Sequence, residues 1–248
     1  MEKVLVVTGG SRGIGAATAL LAGQKGYAIC VNYLHNQAAA QNVVDELEKM
    51  GVRAIAVAAD VASEDQVNHL FKTVDKQLGR VTALVNNAGI LEQQMRVEKM
   101  DVARLKRIFA TNITGSFLCA REVIKRMSIK RGGIGGAIVN VSSIASRLGA
   151  PGEYVDYAAS KGAIDSMTIG LAKEVADEGI RVNAVRPGFI YTDIHADGGE
   201  PNRVERVKDS LPLKRGGQAR EVANAILWLL SDEASYTTGT FIEVAGGK

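Results

Sequence analysis

Short apolar runs rich in β-branched residues alternate along this chain with longer stretches whose apolar positions recur every three or four residues. Ala137-Ile138-Val139-Asn140-Val141 is a run of the first kind. Apolar at nearly every position, it has no face meant for water, which suits a parallel strand covered by helices on both sides. The pattern predicts strands over Lys3–Thr8, Ala28–Tyr33, Arg53–Ala58, Ala83–Asn86, Gly136–Ser142, Arg181–Arg186 and Thr240–Val244, with helices near 13–26, 37–50, 64–79, 101–128, 154–178 and 219–230. Such alternation implies an α/β fold: a doubly wound Rossmann-type sheet of about seven parallel strands with helices on both faces. No linker, repeat or low-complexity tract divides it, so a single domain over 1–248 is expected. The stretch Thr192–Gly217 stands apart, with Gly198-Gly199, Pro201, Pro212 and Gly216-Gly217 set among charged residues. It reads either as a mobile flap over a site or as an ordinary surface excursion.

Composition narrows this picture without redirecting it. The 248 residues can bury a large core. A net charge of +3 with no basic run argues against a nucleic-acid or anionic-membrane partner. No apolar stretch approaches the ~18 residues of a membrane span. The opening Met1-Glu2-Lys3-Val4-Leu5-Val6-Val7 runs straight into a glycine turn, as a first strand does and a signal peptide does not. A cytoplasmic protein acting on a small molecule is expected. Cys30 and Cys119 lie in apolar surroundings without metal-ligand spacing, so they read as reduced packing residues.

The turn Thr8-Gly9-Gly10-Ser11-Arg12-Gly13-Ile14-Gly15 follows the first strand and opens the first helix. Glycines there let the backbone approach a pyrophosphate, whose charge the free N–H groups and the helix dipole favour. The spacing Gly9-x-x-x-Gly13-x-Gly15 differs from the commoner G-x-G-x-x-G, but the position between strand and helix points to a dinucleotide. An acidic residue about 20 positions on would hold the ribose 2′-OH of NAD. This chain offers Asn32-Tyr33-Leu34-His35-Asn36 instead, with no carboxylate. Arg12 could meet a 2′-phosphate through its guanidinium fork, or simply be a solvated charge. NADP(H) is therefore favoured over NAD(H).

Tyr157 and Lys161 sit four residues apart in Tyr157-Ala158-Ala159-Ser160-Lys161, on one face if the segment is helical. A phenol titrates near ~10, so ionising it at neutral pH costs roughly 4 kcal/mol. One ammonium about 4 Å away in a partly buried site can supply that much. The pair can thus serve as an acid/base for an alcohol or carbonyl oxygen, although Tyr and Lys at this spacing often only decorate a helix.

Taken together, the Thr8–Gly15 turn, Asp60-Val61, Asn86-Asn87-Ala88-Gly89, Asn112, Ser142-Ser143, Tyr157-x-x-x-Lys161 and Pro187-Gly188 resemble the short-chain dehydrogenase/reductase family over essentially the whole chain. The resemblance implies that Tyr157 is the catalytic acid/base, that Lys161 lowers its pKa and binds the nicotinamide ribose, that Ser143 polarises the substrate oxygen, and that Asn112 supports a water relay. It implies cofactor contacts from Gly9, Ser11, Arg12, Gly13, Ile14, Gly15, Asn32 and Tyr33. Asp60 and Val61 would meet adenine and Asn86 the adjacent ribose region, with Ala88 and Gly89 also in contact with the cofactor. Ile190 and Thr192 would meet the nicotinamide carboxamide and nearby phosphate, and Pro187 and Gly188 would also contact the cofactor. Asn112 could instead be a helix kink or cap, and Asn87 a backbone-bonding residue. The separation of Ser143 from Tyr157 is one residue longer than the family's most frequent spacing. The likeness runs to the branch with glucose 1-dehydrogenase-like and 3-oxoacyl-carrier-protein reductase-like members, commonly homotetramers, and suggests a bacterial sugar-dehydrogenase-like oxidoreductase.

Glu153, Asp156 and His195 are the candidate substrate contacts, since Gly149–Asp156 leads into Tyr157 and His195 lies beyond Thr192. Asp156 could equally cap a helix. A 3-oxoacyl-carrier-protein reductase is the competing enzyme; it would use basic residues such as Arg96, Lys99, Arg104, Lys106 and Arg107 to dock an acidic carrier, though such a face is commonly just solvated. A cofactor-sensing Rossmann protein is the non-enzyme alternative, disfavoured by the intact set Asn112, Ser143, Tyr157 and Lys161.

Overall fold

The computed structural model describes residues 3–248. All seven expected strands form and pair in parallel. They are β1 (Lys3–Val7), β2 (Tyr27–Tyr33), β3 (Ala54–Ala58), β4 (Ala83–Asn86), β5 (Gly136–Val141), β6 (Ile180–Pro187) and, after two short strands described below, β9 (Phe241–Val244), in the order β3-β2-β1-β4-β5-β6-β9. Strand order reverses between β1 and β4, where Val7 lies beside both Val31 and Val85. Loops leaving the carboxyl ends of two such strands diverge to opposite faces and open a crevice, the usual ligand site of a doubly wound sheet.

Ten helices are described: α1 (Gly13–Gln24), α2 (Gln37–Lys49), α3 (Glu64–Gln77), α4 (Val102–Phe109), α5 (Gly115–Met127), α6 (Ala145–Leu148), α7 (Val155–Glu174), α8 (Ile194–Asp197), α9 (Arg203–Val207) and α10 (Ala219–Leu230). They cover both faces because alternate strand residues point to opposite sides. Leu5, Val7, Val31 and Val139 pack against α1, α2 and α10, while Val4, Val6, Leu84 and Ile138 pack against α3, α5 and α7. Among the described residues no helix is long and apolar enough to cross a membrane.

Two features refine the sequence pattern. The expected helix over 101–128 is α4 and α5 joined by a π-turn at Ala110–Thr114, a local widening of the kind frequent at functional sites. The stretch 192–217 is folded onto the body of the chain, with α8 and α9 in it. Its two ends are clasped by the parallel pair β7 (Ile190–Tyr191) and β8 (Gly217–Gln218), too short to leave a periodic signal.

Candidate functional site

The crevice at the β1/β4 reversal is the mouth of a cavity of about 870 Å³ that runs from the glycine turn to Tyr157. At the first end, Gly9 and Gly13 have φ of +59° and +54°, the left-handed region that favours glycine. Gly15 serves packing instead: a Cβ there would lie 2.4 Å from the Gly9 carbonyl oxygen. Gly15 does not itself line the cavity. Thr8 fastens the turn to the neighbouring loop, its Oγ1 accepting from Asn87 N and Ala88 N at 3.0 Å each. Asn87 donates to the Thr8 and Gly9 carbonyls at 2.9 and 3.0 Å, the backbone role allowed for it.

Gly9, Ser11, Arg12, Gly13 and Ile14 all border the cavity. So do Asn32, Tyr33, Asp60 and Val61 along its side, and Ala88, Gly89, Pro187, Gly188, Ile190 and Thr192 towards its middle. Asn32 also supports the turn, accepting from Gly9 N at 3.3 Å while its amide donates to Ala59 O at 2.9 Å. Asn86 is a correction. It is buried below the cavity, donating to Asn140 Oδ1 at 3.0 Å and Ser116 O at 3.2 Å, in a polar ladder that continues from Asn140 to Thr168.

Arg12 reaches across the mouth to α8, pairing with Asp197 at 2.5 Å and Asp193 at 4.0 Å. It is therefore neither a lone solvated charge nor a guanidinium without carboxylate partners.

At the other end, Ser143, Tyr157 and Lys161 come together on one wall. Ser143 follows β5, and Tyr157 and Lys161 share a face of α7. Ser143 and Tyr157 border the same cavity, and the Ser143 Oγ accepts from Ala145 N at 3.1 Å. Burial pushes the Tyr157 phenol up to about 12, against the pull of Ser143 and the Arg203 guanidinium. Burial likewise lowers the Lys161 ammonium to about 8, with Asp165 opposing the shift. Lys161 donates to Val141 O at 2.8 Å, and its Nζ is 5.5 Å from the Tyr157 ring centre. The expected downward shift of the phenol is thus corrected for the chain by itself: desolvation outweighs the charges around it.

Asn112 sits in the π-turn, one shell behind the wall. Its side chain holds Ile90 from both sides, accepting from Ile90 N at 2.8 Å and donating to Ile90 O at 3.1 Å, and it donates to Ser160 Oγ, which donates to Tyr157 O. A Cβ built on Gly89 would be 3.5 Å from both Asn112 Oδ1 and Lys161 Nζ, so the amide and the ammonium flank one spot on the backbone.

Of the substrate candidates, Glu153 and His195 border the cavity and Asp156 does not. Asp156 is buried in an ion pair with Arg104, at 2.6 Å to Nε and 3.4 Å to Nη2, and accepts from Tyr157 N at 2.9 Å. That corrects two expectations, because Arg104 is only 3% exposed and cannot belong to a basic docking face. Arg203 was not foreseen. It lies in α9, ion-paired with Glu153, over the rings of Tyr154 and Phe189 at 4.6 and 5.4 Å, and it borders the cavity. In sequence it sits in Pro201-Asn202-Arg203-Val204-Glu205-Arg206, which looks like solvated surface and carries no signal of burial.

Residues 9–248 match the family profile described as enoyl-(acyl carrier protein) reductase. The chain is 61% identical over 245 residues to an Escherichia coli K12 protein described as the uncharacterized oxidoreductase YgfF, covering 99% of both. It is 38% identical to the 3-oxoacyl-[acyl-carrier-protein] reductase FabG of Staphylococcus epidermidis, over 100% of this chain and 99% of that one. Among solved structures, a short-chain type dehydrogenase/reductase from Mycobacterium marinum superposes with a TM-score of 0.91 at 33% identity, covering 99% of this chain and 94% of that one.

Proposed function

We propose that this chain, which belongs to the short-chain dehydrogenase/reductase family and is an oxidoreductase, is an NADP(H)-dependent enzyme interconverting an alcohol and a carbonyl on a small polyhydroxylated substrate. The observation that carries this reading is the convergence of Ser143, Tyr157 and Lys161 on the cavity whose far end is the glycine turn. A Cβ at Gly13 would stand 3.1 Å from Thr192 Cγ2, so the turn keeps a cradle open at backbone level, as a pyrophosphate requires. A nicotinamide dinucleotide bound along the cavity supplies or accepts the hydride.

The chain's own residues do the rest. Tyr157 gives its proton to the carbonyl oxygen in reduction and takes it from the alcohol in oxidation. Ser143, on the same wall of the cavity, holds the same oxygen. Lys161, once a ribose hydroxyl draws its ammonium, supplies positive charge that favours phenolate. Asn112 holds the loop around Ile90 and the start of α7 in register. Arg12 reads the 2′-phosphate after releasing Asp197.

The reading extends to a cytoplasmic homotetramer built on α5 and α7. A Cβ on Gly162 or Gly170 meets nothing within 4 Å, so this chain's own packing does not require those glycines, and Phe117 and Ile169 are exposed on these helices. Cys30 and Cys119 are free, buried thiols, as a reducing compartment allows.

The competing substrate, a 3-oxoacyl group on a carrier protein, draws on the relatives that bear that name. Three of its five proposed docking cations are engaged: Arg104 by Asp156, Arg107 by Glu92 and Arg96 by Glu98. A panel of sugars, polyols and acyl thioesters assayed with NADP(H) and NAD(H) decides between them. An acyl thioester favoured by about tenfold in kcat/KM, roughly 1.4 kcal/mol of transition-state preference, would replace the polyol reading.

A further inference from the structure

Two buried polar atoms of the stretch 192–217 have no hydrogen-bond partner, and they are of opposite kinds. One is Nη1 of Arg203, a donor; the other is Nδ1 of His195. His195 Nε2 lies 2.9 Å from the Ile190 carbonyl, which can only accept, so Nε2 carries the proton and Nδ1 is left as an acceptor. Both residues border the cavity that holds Tyr157 and Ser143. Buried polar groups in folded chains are almost always satisfied, so a donor and an acceptor left over on two residues that border one cavity call for a ligand.

We propose that Arg203 and His195 form a subsite for a polyhydroxylated carboxylate, with the carboxylate on the Arg203 guanidinium and a substrate hydroxyl donating to His195 Nδ1. This rests on the reading of Tyr157 and Ser143 as the reacting end, and it narrows the substrate from a polyol to a sugar acid in its hydroxy or oxo form.

The guanidinium is built in place. It is 8% exposed, lies over the rings of Tyr154 and Phe189, and is ion-paired with Glu153. A planar fork so held is suited to a carboxylate, with its orientation settled before the ligand arrives. The Tyr154 hydroxyl donates to Gly198 O at 3.1 Å, which ties this ring to the segment between α8 and α9. Glu153 can yield its place because Arg206 already stands 3.6 Å from its other oxygen. The arriving carboxylate thus replaces one anion by another, and no buried charge is left uncompensated. Burial raises the Tyr157 phenol and lowers the His195 imidazole, and the Arg203 cation opposes the first shift and adds to the second, which puts the subsite within electrostatic reach of the reacting end.

The test uses the NADP(H)-loaded protein and the four- to six-carbon aldonates, each against its primary amide, which keeps every hydroxyl and loses only the charge. The expected result is a preference for the acid of about 10- to 150-fold in kcat/KM, and a matching one in the calorimetric Kd. Arg203→Gln should bring acid and amide close to parity, mainly through KM, and Arg203→Lys should recover part of the gap. His195→Ala should weaken both ligands while preserving their ratio. Should Arg203→Gln not fold, the acid-to-amide ratio of the unaltered protein decides alone. Equal Kd values for acid and amide, or binding of neither, overturn the subsite. Tight, acid-selective binding without turnover would leave the subsite standing and overturn the catalytic reading on which it was built.

Discussion

Lys161 spends its ammonium on the Val141 carbonyl, 2.8 Å away, while its Nζ stands 5.5 Å from the centre of the Tyr157 ring. The two partners of the motif are neighbours, but the ammonium is held by the end of strand β5. Acidifying the phenol therefore requires the ammonium to be redirected, and burial alone works against it.

Tyr157→Phe should lower kcat by about 10²- to 10⁴-fold, the span of general acid–base catalysis. Dinucleotide affinity should stay within about twofold, since the glycine turn is remote from the phenol. Steady-state rates beside a cofactor titration check both. Turnover close to that of the parent chain would remove Tyr157 from the proton-transfer step.

Lys161 also predicts a pH signature in stability. Its ammonium titrates near 8 in the folded chain, below the ordinary lysine value of 10.5, so the unfolded state binds more protons between those limits. Stability contributed by this residue must then rise with pH across that window. From pH 8 to 10 the gain should be on the order of 2 kcal/mol relative to Lys161→Met. Above pH 10 the Tyr157 phenol, held up at about 12, acts in the opposite sense. Urea unfolding of the two proteins at pH 7, 8, 9 and 10 provides the comparison, and parallel curves would contradict the depressed value.

Arg12 and Asp197 tie cofactor choice to α8. Arg12→Ala should weaken NADP(H) by about 10- to 150-fold and leave NAD(H) nearly unchanged. Asp197→Asn removes a competitor for the same guanidinium. The pair is about half-exposed on both sides, at 53% and 44%, so its removal should tighten NADP(H) by only a few-fold. Fluorescence titration of both reduced cofactors measures each effect. Equal losses for the two cofactors in Arg12→Ala would mean that the residue shapes the turn rather than reading a phosphate.

Asp156→Ala leaves Arg104 charged, buried and without its carboxylate, a situation that costs about 3–5 kcal/mol. In a chain of this length that lowers Tm by roughly 10 °C. Replacing both, as Arg104→Met with Asp156→Leu, should return much of the loss, because the cost lies in the orphaned charge. A single-variant loss under about 1 kcal/mol by thermal denaturation would show that water reaches the pair.

The sheet was readable because each strand is a self-contained apolar run, and Ala83–Asn86 forms at its expected limits. The glycine turn and the Tyr157/Lys161 spacing were readable because local backbone geometry dictates them. What escaped depends on contacts distant in sequence. Asp156 looked like a polar pocket residue until Arg104, 52 positions earlier, came to cover it. Asn86 and Asn87 are adjacent and chemically alike, yet one points into the polar ladder beside Asn140 and the other towards the glycine turn. Arg203 has the local surroundings of a surface residue, and its burial is created by Tyr154, Phe189 and Glu153 from other parts of the chain.

Asn32 carries a consequence for redesign and for divergence alike. One amide secures the Gly9 N–H of the turn and the Ala59 carbonyl after β3, so three successive crossovers share a single rivet. Tyr33, His35 and Asn36 border the same stretch of cavity without any such duty towards the turn. Mutational drift that alters which dinucleotide is accepted can travel through Tyr33 and His35 at little structural cost, whereas Asn36 caps α2. The same drift at Asn32 would loosen the turn before it could change the choice, so position 32 is the one at which cofactor exchange should be slowest.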